Sequence, residues 1–402
     1  MIDRRKLLTM TTAGAAAAAA GAGTLLKSSE VMAARKQELV TGTGFAPRGM
    51  DGRLTRLGKF DVESRQDFTK GFRAMHRQKI SASADEALAR LLEREGIDPT
   101  QETDMASIGH LLDNEPAINI SAHTWLANQR VTWTNLQDFY HANADEFLSE
   151  MEVADNAGPG TLELSPALHI PEHASHQIHI QPGGYVGDPF AGHMYHYGTN
   201  SFYFGGRGHN NQDQIHRAAA QNIPLPQDGK VKRILDYGCG IGQFTVALKE
   251  RFPDAEVWGL DIGGPMVRYG HMRAAHLGFD VNFVQRLAED NGFPDGYFDI
   301  VTSFIAHHEM PEKVSHQVIA ESQRVTRPGA VYYPVDFTTG GTRMTPRALF
   351  RRWWDHRWNN ERWSFEYHAM NFDQEIQGRG FAQVEKAKPV IRGFGIRHFI
   401  RS

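Results

Sequence analysis

The spacing of apolar residues changes character near residue 205. From about residue 60 to 155 it is helical. In "SASADEALARLL", Ser83 and Glu86 stand in capping-box spacing ahead of Leu88, Leu91 and Leu92, which predicts a helix starting at Ser83. In "NLQDFYHANADEFLSEM", Leu136, Phe139, Tyr140, Phe147, Leu148 and Met151 fall on one face of a period-3.6 helix. A stretch punctuated by Gly and Pro follows, residues 156–189, and predicts loops. Beyond residue 205, strand-like and helix-like segments alternate, the pattern of an α/β sheet. The strand candidates are "VKRILD", "AEVWGL", "FDVNFV", "FDIVTSF" and "AVYYPVDF". Between them lie the helix candidates "QFTVALKERF", "GPMVRYGHMRAAHLG" and "PEKVSHQVIAESQRV". Two more strands, "FAQVEKAKPV" and "GIRHFIRS", have no helix between them and predict a C-terminal antiparallel hairpin on a mostly parallel sheet.

The first segment is expected to lie outside the fold. Arg4 and Arg5 precede the Ala/Gly-rich run "TTAGAAAAAAGAGTLL", and "SSEVMAA" offers small-residue cleavage sites after Ala33 or Ala34. The paired arginines and mild apolar run resemble a twin-arginine signal, which exports folded proteins in bacteria. The other reading is a flexible basic N-terminus on a cytoplasmic protein. The run is too short and too weakly apolar for a permanent span of a bilayer core ~30 Å thick. The expected organisation is a signal over 1–34, a linker over 35–58, a helical and loop-rich cap over 59–200 and a sheet domain over 201–402. A hydrophobic fraction of 41% allows an ordinary core, and a net charge of -4 argues against a dedicated nucleic-acid binder. The single cysteine, Cys239, excludes an intrachain disulfide.

"ILDYGCGIGQFT", residues 234–245, carries the clearest chemical signal. An acid, Asp236, ends an apolar run, and Gly238, Gly240 and Gly242 follow at alternate positions. Glycine lets a ligand approach the main chain and adopts positive φ at little cost. Sheets of this kind bind ligands at the carboxyl ends of their strands. The plain alternative is a tight strand–helix turn. The dinucleotide fingerprint G-x-G-x-x-G requires a third glycine where Gln243 stands. A second acid, Asp261, ends "VWGLD", where a carboxylate can grip vicinal ribose hydroxyls. Both nucleotide-cofactor classes use that position.

The acid-plus-G-x-G-x-G pattern resembles motif I of the class I S-adenosylmethionine-dependent methyltransferases. "AEDNGFPDGYFDIVTSF" and "ESQRVTRPGAVYYPVDF" are similar to two further strings of that family, with Glu321, Arg324, Val325, Pro328 and Gly329 matching and Thr326 and Ala330 departing. The resemblance covers roughly residues 230–340 and is broadly to small-molecule enzymes like those of ubiquinone and menaquinone biosynthesis. It implies a Rossmann-like, doubly wound, seven-stranded sheet with S-adenosylmethionine as cofactor and a small molecule as acceptor. The implied cofactor-binding residues are Asp236, Gly238 and Gly240 around the methionine moiety, Gly242 in the same turn, Asp261 at the ribose, Ile262 along the adenine face, and Ala288 and Glu289 at its edge. The family often has an acid where Leu287 stands. Phe304, Ile305 and His308 would lie where methyl donor and acceptor meet. Residues 179–206 resemble a segment preceding motif I in a bacterial group with helical extensions, which implies that Tyr195, His196 and Tyr197 close over the cofactor. The alternative is turn and packing aromatics.

His307 and His308 are the candidate catalytic residues, since an acceptor hydroxyl or carbon acid needs a base and histidine titrates near neutral pH. A structural role, hydrogen-bonded beside the strand end, is the competing reading. In "FRRWWDHRWNNERW", Trp353, Trp354, Trp358 and Trp363 offer apolar faces, and Arg351, Arg352, Arg357 and Arg362 offer charge to an aromatic or lipid-like acceptor. An amphipathic helix packed on the sheet accounts for the same pattern. His169, His173, His176 and His179, with Glu172, have metal-binding chemistry, but Pro171 interrupts the run and no helix sets their spacing. A hydrogen-bonded surface loop is expected and no metal ligand is assigned. Two rival functions stand beside methyl transfer: an NAD-dependent oxidoreductase, and an exported non-catalytic binding protein on the same fold. The second gains weight because S-adenosylmethionine is made in the cytoplasm, so an exported enzyme would leave with one equivalent.

Overall fold

Strands in the middle of a parallel sheet are covered on both faces, so their apolar residues run on without alternation. "RILDY" and "FDIVTSF" are of this kind, and both are buried along almost their whole length. The computed structural model describes residues 50–402 except 52, 56, 58–59, 203–210, 342, 385–393 and 396. The expected signal and most of the expected linker lie outside the described residues. The sheet contains β1 (Leu162–Glu163), β2 (Arg233–Tyr237), β3 (Glu256–Asp261), β4 (Asn282–Gln285), β5 (Phe298–Phe304), β6 (Thr326–Val335), β7 (Phe381–Gln383) and β8 (Phe399–Arg401). Their order is β1-β4-β3-β2-β5-β6-β8-β7. Strands β1 to β6 pair in parallel, and β8 runs antiparallel to both β6 and β7. The C-terminal hairpin is therefore present.

The eight strands exceed the expected seven by β1. It comes from the Gly/Pro-rich stretch, where two residues are too few to show a period. Leu162 pairs with Phe283 of β4, and a Cβ on the preceding Gly160 would fall 2.2 Å from the Val281 carbonyl oxygen. Pro328 and Gly329 also differ from expectation. They lie inside β6 and absorb a register shift against β5, between Phe298 and Ile300, instead of forming a turn before the strand.

The N-terminal helices are α1 (Phe60–Met75), α2 (Ser81–Arg94), α3 (Met105–Asp113), α4 (Pro116–Ala142) and α5 (Ala144–Ala154). No helix starts at Ser83. A π-helical turn, His76–Ile80, joins α1 to α2, and the Ser83 hydroxyl donates back to the Lys79 carbonyl at 3.4 Å. The buried His76 ring bonds the Ser121 carbonyl of α4 at 2.8 Å, a tertiary contact that anchors this turn. The single helix expected over 135–151 is broken at Asn143, whose side-chain amide donates to the Phe139 carbonyl at 2.7 Å. Its apolar face survives the break. Leu136, Phe139, Tyr140 and Met151 pack with Phe190 and with Met194 of α6 (Ala191–Phe202).

Helices α7 (Asn211–Gln221), α8 (Gln243–Arg251), α9 (Gly264–Leu277) and α10 (Glu312–Val325) alternate with the strands. After β6 come α11 (Pro346–Trp358), α12 (Ser364–Ala369) and α13 (Phe372–Gly378). Two contacts fuse the N-terminal helices to the sheet's helical layer. Met272 of α9 belongs to the same apolar cluster as Leu136 and Phe139. Leu349, Phe350 and Trp353 of α11 pack on Leu88 and Leu91 of α2 and Ile108 of α3. Among the described residues, no helix is long and apolar enough to cross a membrane.

Helix α6 lies against α4 so closely that a Cβ on Gly198 would fall 2.2 Å from the Trp133 ring. Gly198→Ala should therefore destabilise the protein by about 1–3 kcal/mol through overpacking. A lower urea midpoint with an unchanged m-value checks it; an unchanged midpoint would show that the helices separate easily.

Candidate functional site

The strand order reverses between β2 and β5, and the carboxyl ends of strands at such a reversal form a crevice. A cavity of about 550 Å³ opens there. Its floor is the turn after β2, where Gly238 (φ 62°) and Gly240 (φ 52°) adopt left-handed backbone and line the cavity. A Cβ on Gly238 would also fall 2.8 Å from the Ala306 methyl. Gly242 is placed elsewhere, which corrects its expected ligand role. It is the left-handed N-cap of α8, and a Cβ there would fall 2.4 Å from the Phe283 ring.

Two acids govern this floor. Asp261 accepts from the Gly240 and Gly263 backbone N–H groups, one at each carboxylate oxygen and both at 2.8 Å. Asp236 is fully buried. Its Oδ2 accepts from the Thr245 hydroxyl at 2.7 Å, while Oδ1 has no hydrogen-bond partner. Burial pushes the Asp236 carboxyl up to about 8, against the Thr245 hydrogen bond, and the Asp261 charge adds to the rise. Burial also raises Asp261, with the backbone N–H groups opposing it.

Ile262, Ala288, Glu289 and Phe304 all line the cavity. The loop bearing Ala288 and Glu289 is braced by the Glu321–Arg324 pair of α10. Glu321 accepts from the Asn291 backbone N–H at 2.9 Å, and Arg324 donates to the Phe293 carbonyl at 2.7 Å. That bracing is the physical content of the E-x-x-R string. Gln243, where a dinucleotide turn would have glycine, donates to Asp213 of α7 at 3.1 Å. It thereby holds α7, whose Ile215 and His216 form another wall.

The two candidate catalytic histidines part company. His307 points into the sheet interior, away from the cavity, and is corrected to a structural residue. Its Nε2 bonds the Tyr237 hydroxyl at 2.8 Å and its Nδ1 the Ser315 hydroxyl at 2.7 Å. Burial pulls it down to about 3, so it stays neutral. His308 does line the cavity, with Nδ1 bonded to Asp336 at 2.8 Å. Burial opposes its charge, but Asp336 outweighs burial and lifts it to about 10, so this imidazole is a cation at neutral pH. Of Tyr195, His196 and Tyr197, only Tyr195 lines the cavity. His196 bonds the Tyr269 hydroxyl at 2.8 Å, and Tyr197 is buried in the helical cluster.

The tryptophan reading is also corrected. Trp353, Trp354 and Trp358 pack with the N-terminal helices, not on the sheet, and Trp363 is likewise outside the cavity wall. Arg351 and Arg352 do line the cavity; Arg357 instead lies over Trp353 and Trp358, and Arg362 is exposed. Of the loop histidines, His169 and Glu172 are exposed, whereas His179 is drawn inside. Its Nε2 lies 2.7 Å from Glu361 and 3.6 Å from Glu309. Sequence reasoning missed Glu309, Glu361, Asp336 and Tyr185, because no local pattern brings such distant positions together. Ile305 was expected here from the resemblance alone; it adopts φ 51°, strained for a β-branched residue, and donates its N–H to the Val335 carbonyl at 2.7 Å.

A doubly wound sheet ending in an antiparallel strand, with a bare turn after β2 and an acid ending β3, is the architecture that the class I methyltransferase resemblance implies. Residues 234–329 match the methyltransferase domain family. The chain is 34% identical over 133 residues to a demethylmenaquinone methyltransferase of Thermus thermophilus, covering 32% of this chain and 60% of that protein. It is 35% identical over 107 residues to a ubiquinone/menaquinone biosynthesis C-methyltransferase of Burkholderia cenocepacia, covering 26% and 43%. A probable tocopherol O-methyltransferase of Oryza sativa is 34% identical over 110 residues, covering 27% and 30%. The chain thus spans less than two thirds of the length of these relatives. Among solved structures, the YcgJ protein of Bacillus subtilis is similar at 22% identity, with a TM-score of 0.34 and 42% of this chain and 68% of that one covered. S-adenosylmethionine is the cofactor that the family match supports.

The raised Asp236 carboxyl has a consequence for stability. The folded protein holds this proton more tightly than the unfolded chain, whose ordinary value is 3.8. Its contribution is therefore fully present below that value and is lost as pH rises through about 8. Asp236→Asn, which cannot titrate, should lose less melting temperature than the native protein between about pH 5 and pH 9. Parallel pH profiles would mean that Asp236 is not protonated in the folded state.

Proposed function

We propose that the chain is an S-adenosylmethionine-dependent methyltransferase acting on a small acceptor with an aromatic or lipid-like body. The observation that carries this reading is the buried Asp236 Oδ1, unpartnered beside a glycine turn at the sheet's switch point. An orphaned buried carboxyl oxygen is costly unless a ligand donor meets it, and the ammonium of a methionine moiety is such a donor, its charge drawing the proton off Asp236 on binding. Each Asp261 oxygen has spent one lone pair on a backbone N–H and keeps another for a ribose hydroxyl. Gly238 and Gly240 would pass along the methionine chain, with Ile262 at the adenine face and Ala288 and Glu289 at its edge.

The bound cofactor supplies an electrophilic methyl group. The chain's own task is to hold an acceptor in line and exclude water. Phe304, Ile305, Phe337 and Phe394 offer an apolar wall for a ring or an isoprenoid-like body, and Arg351 and Arg352 line the same cavity, Arg352 lying over the Phe337 ring. The relatives' names refer to demethylmenaquinone, ubiquinone/menaquinone and tocopherol, which supports an acceptor of this class. The protonated His308 offers positive charge to an acceptor oxygen instead of serving as a neutral base. The Arg4-Arg5 leader supports export of the folded chain by the twin-arginine machinery, which N-terminal sequencing of protein from each cell fraction would test.

Calorimetry should show S-adenosylmethionine binding and no NAD binding. Asp261→Ala should weaken the former at least tenfold, about 1.4 kcal/mol or more, through loss of charge-assisted hydrogen bonds. Labelled methyl transfer into a lipid extract, with mass spectrometry of the product, identifies the acceptor. Binding of NAD, or undiminished S-adenosylmethionine affinity in the Asp261 variant, would overturn the reading.

A further inference from the structure

We propose that His179, Glu309 and Glu361 bind a divalent first-row transition metal ion in the cavity wall, with the His308 Nε2 beside them as a fourth donor. One ligand atom from each of the first three residues lies within 4.8 Å of the others. His308 Nε2 lies 3.5 Å from Glu309 Oε1 and 3.8 Å from Glu361 Oε2. Bonds of about 2.0–2.2 Å around a tetrahedral ion place its ligand atoms ~3.4 Å apart, so small side-chain adjustments complete the site.

Three further observations separate this arrangement from an ordinary ion-pair network. The first is unsatisfied valence. Glu361 is only 7% exposed, and its Oε2, like Glu309 Oε2, is buried without a hydrogen-bond partner. Two such oxygens at one place incur a desolvation cost that a cation would offset. The second is the orientation of the imidazoles. His179 Nδ1 faces the Tyr185 hydroxyl at 3.1 Å, and His308 Nδ1 bonds Asp336 at 2.8 Å. Both rings thus turn Nε2 into the cluster, with an outer partner fixing the ring, as metal-ligating histidines are held. The third is the backbone. His179 sits at φ 52°, and its carbonyl is clamped by the Trp133 indole N–H at 3.0 Å and the Gln129 amide at 2.8 Å. Strain of this kind persists where surrounding structure enforces it and concentrates at functional sites.

The mixed imidazole and carboxylate set suits Zn²⁺, Fe²⁺ or Mn²⁺ better than Mg²⁺ or Ca²⁺, which prefer all-oxygen shells. Binding would displace the protons that the imidazoles otherwise carry, so His308 would then act through the ion and no longer offer its own charge to the acceptor oxygen. The ion would face the same cavity as Asp236 and Asp261, positioned to bind an acceptor oxygen and lower its pKa. That last role rests on the methyltransferase reading; the metal site itself does not.

The test uses the full chain, stripped with a chelator and titrated with Co²⁺ while visible ligand-field bands are recorded. One equivalent should bind and produce bands of nitrogen- and oxygen-ligated Co²⁺. His179→Ala, Glu309→Gln and Glu361→Gln should each weaken binding tenfold or more. His169→Ala, on the exposed part of the same loop, should bind as the native protein does. Absence of the bands in the native chain overturns the proposal without reliance on any variant's folding, as does equal loss in His169→Ala. A parallel S-adenosylmethionine titration separates the two readings. Cofactor binding without Co²⁺ bands overturns the metal site alone, whereas Co²⁺ bands without cofactor binding uphold the metal site and overturn the methyltransferase reading.

Discussion

One carboxylate holds the centre of this molecule together. Asp261, at the end of β3, binds the backbone N–H of Gly240 in the turn after β2 and that of Gly263 at the start of α9. Two strand-to-helix connections are thereby tied to one side chain at the point where strand order reverses. The turn must be bare for the Gly240 N–H to reach this acid, and Gly240 takes φ 52° to do so. The arrangement also concentrates negative charge. Asp236 and Asp261 share this space, and the Asp261 charge adds to the cost of ionising the buried Asp236. A cationic ligand would relieve that repulsion, so the constraint that shapes the floor favours positive charge there.

The opposite side of the cavity follows a different logic. There, charge is gathered from segments far apart in the chain: His179 before α6, His308 and Glu309 after β5, Asp336 after β6 and Glu361 after α11. Asp336 organises this side. Besides bonding His308, it accepts the backbone N–H of His307 at 2.8 Å and of Phe337 at 2.7 Å, which fixes the turn after β5. Burial raises its pKa, but the histidines outweigh burial and bring it down to about 2. His307, its ring locked between Tyr237 and Ser315, completes the same turn from the interior side. Adjacent histidines thus serve opposite ends, one cementing the sheet and one facing the cavity.

The N-terminal helices support the site from behind, through how they are covered. α11 packs on α2 and α3 through Trp353 and Leu349, while α6 and the loop before it pack on α9. Tyr185, Tyr195 and His179 reach the cavity from this region and close a crevice that the sheet alone would leave open. The side of the cavity around His179 is accordingly built from segments on either side of the sheet's first strands, and the glycine-turn floor from a continuous stretch between them.

That division explains what could be read early. The cavity floor was legible because its chemistry is local: an acid, three glycines and a helix start lie within ten residues, and strand ends place the second acid beside them by topology. The parallel strands were legible because burial on both faces imposes unbroken apolar runs. β1 was not, since two residues carry no period, and neither was the break at Asn143, since the apolar face continues through it. The capping box at Ser83 failed because the His76 contact to α4 rewards a continuous helix more than a local cap does. Gly242 and His307 had the right identity beside the right motif, yet packing against Phe283 and hydrogen bonding to Tyr237 turned them away from the cavity. The amino-acid sequence by itself determined the sheet from β2 to β8, its glycine turn and its two acids. Tertiary structure alone decided which histidine faces the cavity and which carboxylates meet there, because side chains 182 residues apart, such as His179 and Glu361, acquire a common environment only when the chain has packed.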